Sequence, residues 1–150
     1  MAQRTLIALA AALTLLGCEY FWVDGEETWT DRATGLEWQN PSRDMRNSWE
    51  QARGYCETLT WAGKTGWRMP SFDELKTIHD PVGHDVYGEF CYWKHGLNGQ
   101  CEHFWTSDTF MGEGESAYTI NFMDPTDPEQ NMDTQYTGIE DSMFVRCVRD

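Results

Sequence analysis

The placement of cysteine constrains this 150-residue chain more than any other feature. Cys18 stands alone at the end of an apolar run, residues 6–16, that is interrupted only by Thr14. The other four, Cys56, Cys91, Cys101 and Cys147, all lie in the part that has the makings of a domain. The apolar run is shorter than the about 20 residues a membrane-crossing helix needs. Preceded by Arg4, it reads as the hydrophobic region of a secretory signal. Export would deliver the four later cysteines to a compartment where disulfides form. Four cysteines allow three connectivities. The expected pairs are Cys91–Cys101, closing a short loop, and Cys56–Cys147, tying an early helix to the last strand. A metal site is the competing use of these thiols, but no pair has the close C-x-x-C spacing usual for zinc.

Leu15-Leu16-Gly17-Cys18 resembles a bacterial lipobox, in which a small residue precedes the cysteine that becomes lipidated. The resemblance implies a signal peptide over residues 1–17, cleavage before Cys18, and acylation of Cys18. Each buried acyl CH₂ contributes about 0.8 kcal/mol, so two or three chains hold a protein to a membrane without a spanning segment. Glu19 occupies the place where an aspartate would mark retention in the inner membrane. The expectation is therefore the outer membrane, with the domain facing the periplasm or the surface. Residues 18–26 would be a tether reaching about 30 Å at about 3.3 Å per residue.

Residues 27–150 suffice for one domain with a real core and are too few for two ordinary ones. No repeat, Pro-rich linker or low-complexity tract divides them. The chain carries 25 acidic against 11 basic residues, a formal net charge of −14. Nucleic acid is bound through cationic patches that release counterions from phosphate, so this balance argues against it. Anionic lipid headgroups and sulfated polysaccharides are disfavoured for the same reason. Membrane contact is then expected only through the lipid anchor.

Residues 28–30 and 36–39 read as a hairpin around Asp31-Arg32-Ala33-Thr34-Gly35, with Gly35 at a left-handed position. Ser48-Trp49-Glu50-Gln51 has the form of a capping box. Behind it Trp49, Ala52, Cys56 and Leu59 make an apolar helical stripe, which Gly54 weakens by up to about 1 kcal/mol. Ser71-Phe72-Asp73-Glu74 is a second capping box, with Phe72, Leu75 and Ile78 on the buried face of a short helix. Residues 80–103 have no clear period and are expected to form a long surface loop pinned by a disulfide. Strands are expected at 104–108, 117–123 and 143–149. Residues 124–138 are polar and acidic, with Pro125 and Pro128 breaking regular pairing. Helices early and strands late indicate an α+β domain.

Five segments, in order, resemble one family. They are Thr34-Gly35-Leu36-Glu37-Trp38; Trp49-Glu50-Gln51-Ala52 with Tyr55-Cys56-Glu57-Thr58-Leu59; Gly66-Trp67-Arg68-Met69-Pro70-Ser71 with Glu74-Leu75; Phe104-Trp105-Thr106-Ser107; and Val145-Arg146-Cys147-Val148-Arg149. Together they are similar to the Lcl C-terminal domain family, named after the end of a collagen-like bacterial adhesin. The resemblance implies a C-type-lectin-like fold of the sulfatase-modifying-factor variant. Two helices would flank a small, mostly antiparallel sheet, with long loops on the ligand face. It also favours Cys56–Cys147. Trp38, Trp49, Trp67 and Trp105 are expected in the core, because large rings dominate small cores. Arg68 is expected to pair with Glu74 or a loop carboxylate. The family signature thus describes a scaffold, and function has to be sought elsewhere.

Calcium is the first candidate cofactor for a lectin-like fold. The Glu-Pro-Asn, Gln-Pro-Asp and Trp-Asn-Asp tripeptides of calcium-dependent sugar binding are absent. Asp124, Asp127, Glu129, Asn131 and Asp133 still offer hard oxygen ligands, although their spacing is not that of an EF-hand and a solvated acidic loop explains them as well. His79-Asp80 and His84-Asp85, with His95 and His103 nearby, form a second candidate cluster for zinc or copper, against ordinary exposed histidines. No nucleophile, base and orienting group stand together, so no catalytic residue is assigned. The ligand-binding candidates are Tyr87, Tyr92, Trp93, Asn98, Gln100, Asp108 and Tyr136, with Tyr118. Aromatic faces stack on sugar rings while amides and carboxylates bond hydroxyls. The alternative for Tyr92 and Trp93 is simple packing beneath the Cys91–Cys101 loop. The expectation is a non-enzymatic envelope lipoprotein recognising a glycan or a surface protein. The alternative is a structural lipoprotein that assembles with another envelope protein.

Overall fold

The structure is a computed structural model, and it describes residues 27–110, 116–129 and 136–150. Strand β1 (Glu27–Thr30) pairs antiparallel with β2 (Glu37–Asn40), Trp29 opposite Trp38. Their connection closes because the Asp31 carbonyl accepts from the Gly35 N–H at 2.7 Å and its carboxylate accepts from the Ala33 N–H at 3.0 Å. Gly35 has φ +80°, where a Cβ would be penalised. The last strand, β8 (Val148–Arg149), joins the other side of β2. One small sheet therefore holds both the first and the last segment of the domain.

Both helices begin as their sequence-local signals require. In α1 (Trp49–Thr58) the Ser48 hydroxyl accepts from the Gln51 N–H and the Gln51 side chain accepts from the Ser48 N–H. In α2 (Phe72–Thr77) Ser71 and Glu74 satisfy each other in the same way, at 3.1 and 2.9 Å. Such reciprocal caps fill backbone donors that the first helical turn leaves unpaired. Glu74 also receives both guanidinium arms of Arg68, at 2.7 and 2.8 Å. Those hydrogen bonds hold its carboxyl below the ordinary value of 4.5, against the opposing effect of burial. A carboxylate with a depressed folded pKa adds stability that is present above the unfolded value and lost as pH falls through the folded one. Glu74→Gln is therefore expected to lower stability by about 1 kcal/mol at pH 7, since Arg68 remains partly in water. The gap to the wild type should close as pH falls below 4.5. Urea denaturation at several pH values measures both.

Residues 80–103 are not the surface loop their lack of period suggests. They contain most of a two-stranded antiparallel ribbon, β3 (His79–Val86) and β4 (Glu89–Trp93). A register shift between His79 and His84 hides the alternation, and Tyr87 and Gly88 make the turn with φ of 53° and 89°. These two positive values are those of the tight turn that matches strand twist. The remaining sheet is β5 (His103–Thr109), β6 (Ser116–Asn121) and β7 (Tyr136–Gly138). The strand expected over 143–149 is also shorter than foreseen. Met143 and Phe144 make only single bridges, to Asn47 and Phe104, before β8 begins.

Two apolar clusters fill the interior. The larger gathers Trp38, Leu75, Ile78, Trp93, Phe104 and Phe122, and the other Ala52, Cys56, Trp67, Trp105, Val145 and Cys147. Trp38, Trp67 and Trp105 are buried as expected, whereas Trp49 is only partly covered. Arg146 is fully buried, donating to the carbonyls of Gln39 and Asn98, with its guanidinium 4.4 Å above the Trp93 ring. Burial pulls its pKa down to about 9. The disulfides are Cys56–Cys147 and Cys91–Cys101, with Cα separations of 5.5 and 5.2 Å. Among the described residues no helix is long and apolar enough to cross a membrane. Cys18 and the segment before it lie outside those residues.

Candidate functional site

The ribbon β3–β4 has two unlike faces. Side chains alternate along a strand, and in β4 Cys91 and Trp93 point into the domain while Phe90 and Tyr92 point away from it. Phe90 is 56 % exposed, and its ring meets that of Tyr92 edge to face at 5.5 Å. Beneath both lies Gly83, at φ +61°. A Cβ there would come within 2.7 Å of Phe90 and 2.9 Å of Tyr92. Glycine thus lets both rings approach the ribbon backbone closely. The His79 ring continues the row, stacked on Tyr92 with centroids 6.3 Å apart and planes 25° from parallel. Val82 and Tyr87 are exposed nearby in the same ribbon.

A cleft of about 120 Å³ adjoins this row, lined by Lys76, His79, Pro81, Asp127 and Pro128. Enclosed small-molecule sites run to about 300–1,000 Å³, so this one can take only part of a ligand lying across the surface. Lys76 Nζ lies 2.6 Å from Glu129 and 3.7 Å from Asp127, and its pKa is raised chiefly by the hydrogen bond to Glu129. His79 Nε2 lies 2.9 Å from the Asp124 carbonyl oxygen. The cleft therefore presents an ammonium, a carboxylate and an imidazole beside the aromatic row.

The other residues singled out in the sequence are scattered. Trp93 is not on the exposed face: it is wholly buried, stacked on Phe122 at 3.4 Å and set edge-on to Phe104 at 4.9 Å. Asp108 accepts from the Phe72 N–H at 2.5 Å, so it serves the start of α2. Asn98 acts through its backbone, donating to Asn40 Oδ1 at 2.8 Å and accepting from Arg146. Gln100 donates to Asp44 at 2.6 Å. Tyr118 sets its ring against Phe72 and Phe110. Tyr136 lies in β7, on another sheet from the ribbon. Only Tyr92, with Tyr87 at the ribbon tip, falls on the aromatic face.

Of the calcium candidates, Asn131 and Asp133 lie outside the described residues. Asp124 accepts from the Thr126 N–H at 2.8 Å and is held below its ordinary pKa chiefly by Thr126. Asp127 accepts from the Glu129 N–H at 2.9 Å. Lys76 already engages Glu129 at 2.6 Å and Asp127 at 3.7 Å, offsetting one of their two charges. Among the described residues no three His, Cys, Asp or Glu side chains converge as a metal cluster.

Phe90, Lys76 and the ring of His79 were not foreseen as parts of this face. A signal for Phe90 was available. Once Cys91 is tied to Cys101 it must face inward, and strict alternation then turns Phe90 and Tyr92 out and Trp93 in.

These features define a disulfide-braced α+β domain of two helices and several small antiparallel sheets, with an open aromatic ribbon on its surface. The chain belongs to the Lcl C-terminal domain family, whose pattern matches residues 27–149. Comparison with curated proteins and with solved structures gave no match.

Proposed function

We propose that this chain is a non-enzymatic lipoprotein of the outer membrane, anchored through Cys18, whose C-type-lectin-like domain binds a glycan on the aromatic face of its ribbon. The observation that carries the reading is the row Phe90–Tyr92–His79, its first two rings against Gly83 and its third lining the Lys76 cleft. Flat rings suit the apolar faces of pyranoses, and the neighbouring ammonium and carboxylates suit their hydroxyls. A shallow face with a small cleft fits an extended polymer better than an enclosed small molecule. The acidic surface favours neutral over sulfated sugars. Recognition without calcium is the expectation, because the tripeptides of calcium-dependent sugar binding are absent and Lys76 already engages Asp127 and Glu129. The four cysteines of the domain are all in disulfides, which supports a non-enzymatic reading over one that needs a free domain thiol.

The test is a broad glycan array probed with the domain, folded under oxidising conditions, once with calcium and once with chelator. Binding in both is the expected result. Binding lost with chelator would move the site to the acidic segment that includes Asp124 and Asp127. Absence of binding in both conditions would favour assembly with another envelope protein, which cross-linking in cells would then identify.

A further inference from the structure

We propose that His84 and His95 form a site for a divalent late first-row metal ion, zinc or copper, on the side of the ribbon away from Phe90 and Tyr92. His84 pairs with Cys91 across the ribbon, which places it on the inward-facing side of the pleat. His95 follows the end of β4 and is exposed, while His84 is half-buried. Their ring centroids lie 5.3 Å apart with planes inclined at 42°. A zinc–imidazole bond is about 2.0–2.1 Å, so two rings sharing one tetrahedral ion have centroids about 5.2 Å apart. The observed spacing matches that of two rings ligating one ion.

Both rings are chemically available. Neither has a hydrogen-bond or ion-pair partner among the described residues, whereas His79 engages the Asp124 carbonyl oxygen. The backbone that carries the pair is also held in place before any ion arrives. Cys91–Cys101 pins the strand opposite His84, and the Lys94 N–H donates to the Ile78 carbonyl at 2.9 Å just before His95. Imidazole suits zinc, copper and nickel, with copper bound most tightly in the usual order. Two protein ligands leave the other positions to water, and the net charge of −14 raises the local concentration of cations. This site is independent of the glycan reading, since it uses none of the residues of the aromatic face.

The full chain, purified without a histidine tag, is titrated with Zn²⁺ alone by calorimetry and with Cu²⁺ alone by electron paramagnetic resonance. The expected result is one ion per chain, with copper showing hyperfine coupling to two imidazole nitrogens. His84→Ala and His95→Ala should each weaken binding at least about tenfold. Circular dichroism confirms that each variant is folded, and His95→Ala, at an exposed position, keeps the test open if His84→Ala is not. Wild-type affinity in a folded single variant, or no stoichiometric binding by the wild type, would overturn the proposal.

Discussion

Trp93→Ala is expected to destabilise the domain by about 4 kcal/mol, within the 3–5 kcal/mol range for emptying a buried aromatic site. Trp93 is the point where three groups meet. Phe122 stacks on it, Phe104 meets it edge-on, and the Arg146 guanidinium sits over its ring. Removing it leaves a cavity in the larger cluster and strips Arg146 of the π-face that compensates a buried charge. A domain of this size has about 5–15 kcal/mol in hand, so one substitution removes a large share of it. Tyr92→Ala, one residue away, should lower stability by no more than about 1.5 kcal/mol, because its ring lies on the solvent side of the ribbon. Urea denaturation of the two variants decides whether the inward and outward faces are assigned correctly. Equal losses would mean that they are not.

Removing Cys56–Cys147 should have an effect of similar size for a different reason. The bridge spans 91 residues, and the loop-closure entropy it withholds from the unfolded chain corresponds to about 4.6 kcal/mol. Cys91–Cys101 spans only 10 residues, for which the same relation gives about 2.7 kcal/mol. The long bridge also fastens α1 to the segment carrying Arg146 and β8, which closes the first sheet. The double variant Cys56→Ala/Cys147→Ala should therefore be less stable than Cys91→Ala/Cys101→Ala by about 2 kcal/mol in urea denaturation. The reverse order would show that native-state packing around the short loop outweighs chain entropy.

Features written locally in the sequence were legible. Ser48 with Gln51 and Ser71 with Glu74 form their caps because each needs only a four-residue pattern. The turn from Asp31 to Gly35 forms for the same reason, since its hydrogen bonds are internal to it. The Arg68–Glu74 pair is likewise near in sequence, and the two expected disulfides are present. The ribbon was not legible. Pro81 and Gly83 read as breakers, the register shift after His79 interrupts the period-2 pattern, and Tyr87 occupies a turn position where asparagine or glycine is the usual signal. Mistaking that ribbon for a loop cost the inside–outside assignment of Trp93. Asp108 and Gln100 misled in another way. A polar side chain in a loop-rich stretch looks free for a ligand, and only the fold shows that Phe72 and Asp44 already engage these two.

The central claim is that the outward rings of the ribbon bind a glycan. The most direct test compares the wild-type domain with the Phe90→Ala/Tyr92→Ala double variant on one glycan array in chelator, with thermal melting as the control for folding. Two lost stacking contacts of about 0.5–1.5 kcal/mol each should weaken binding roughly tenfold or more. The melting temperature should fall by no more than about 10 °C, because Phe90 is largely exposed and loss of the Tyr92 ring removes at most about 1.5 kcal/mol. Sugar binding by the wild type that falls at least about tenfold in a folded double variant is the predicted result. Undiminished binding by that variant, or none by a folded wild type, would contradict it.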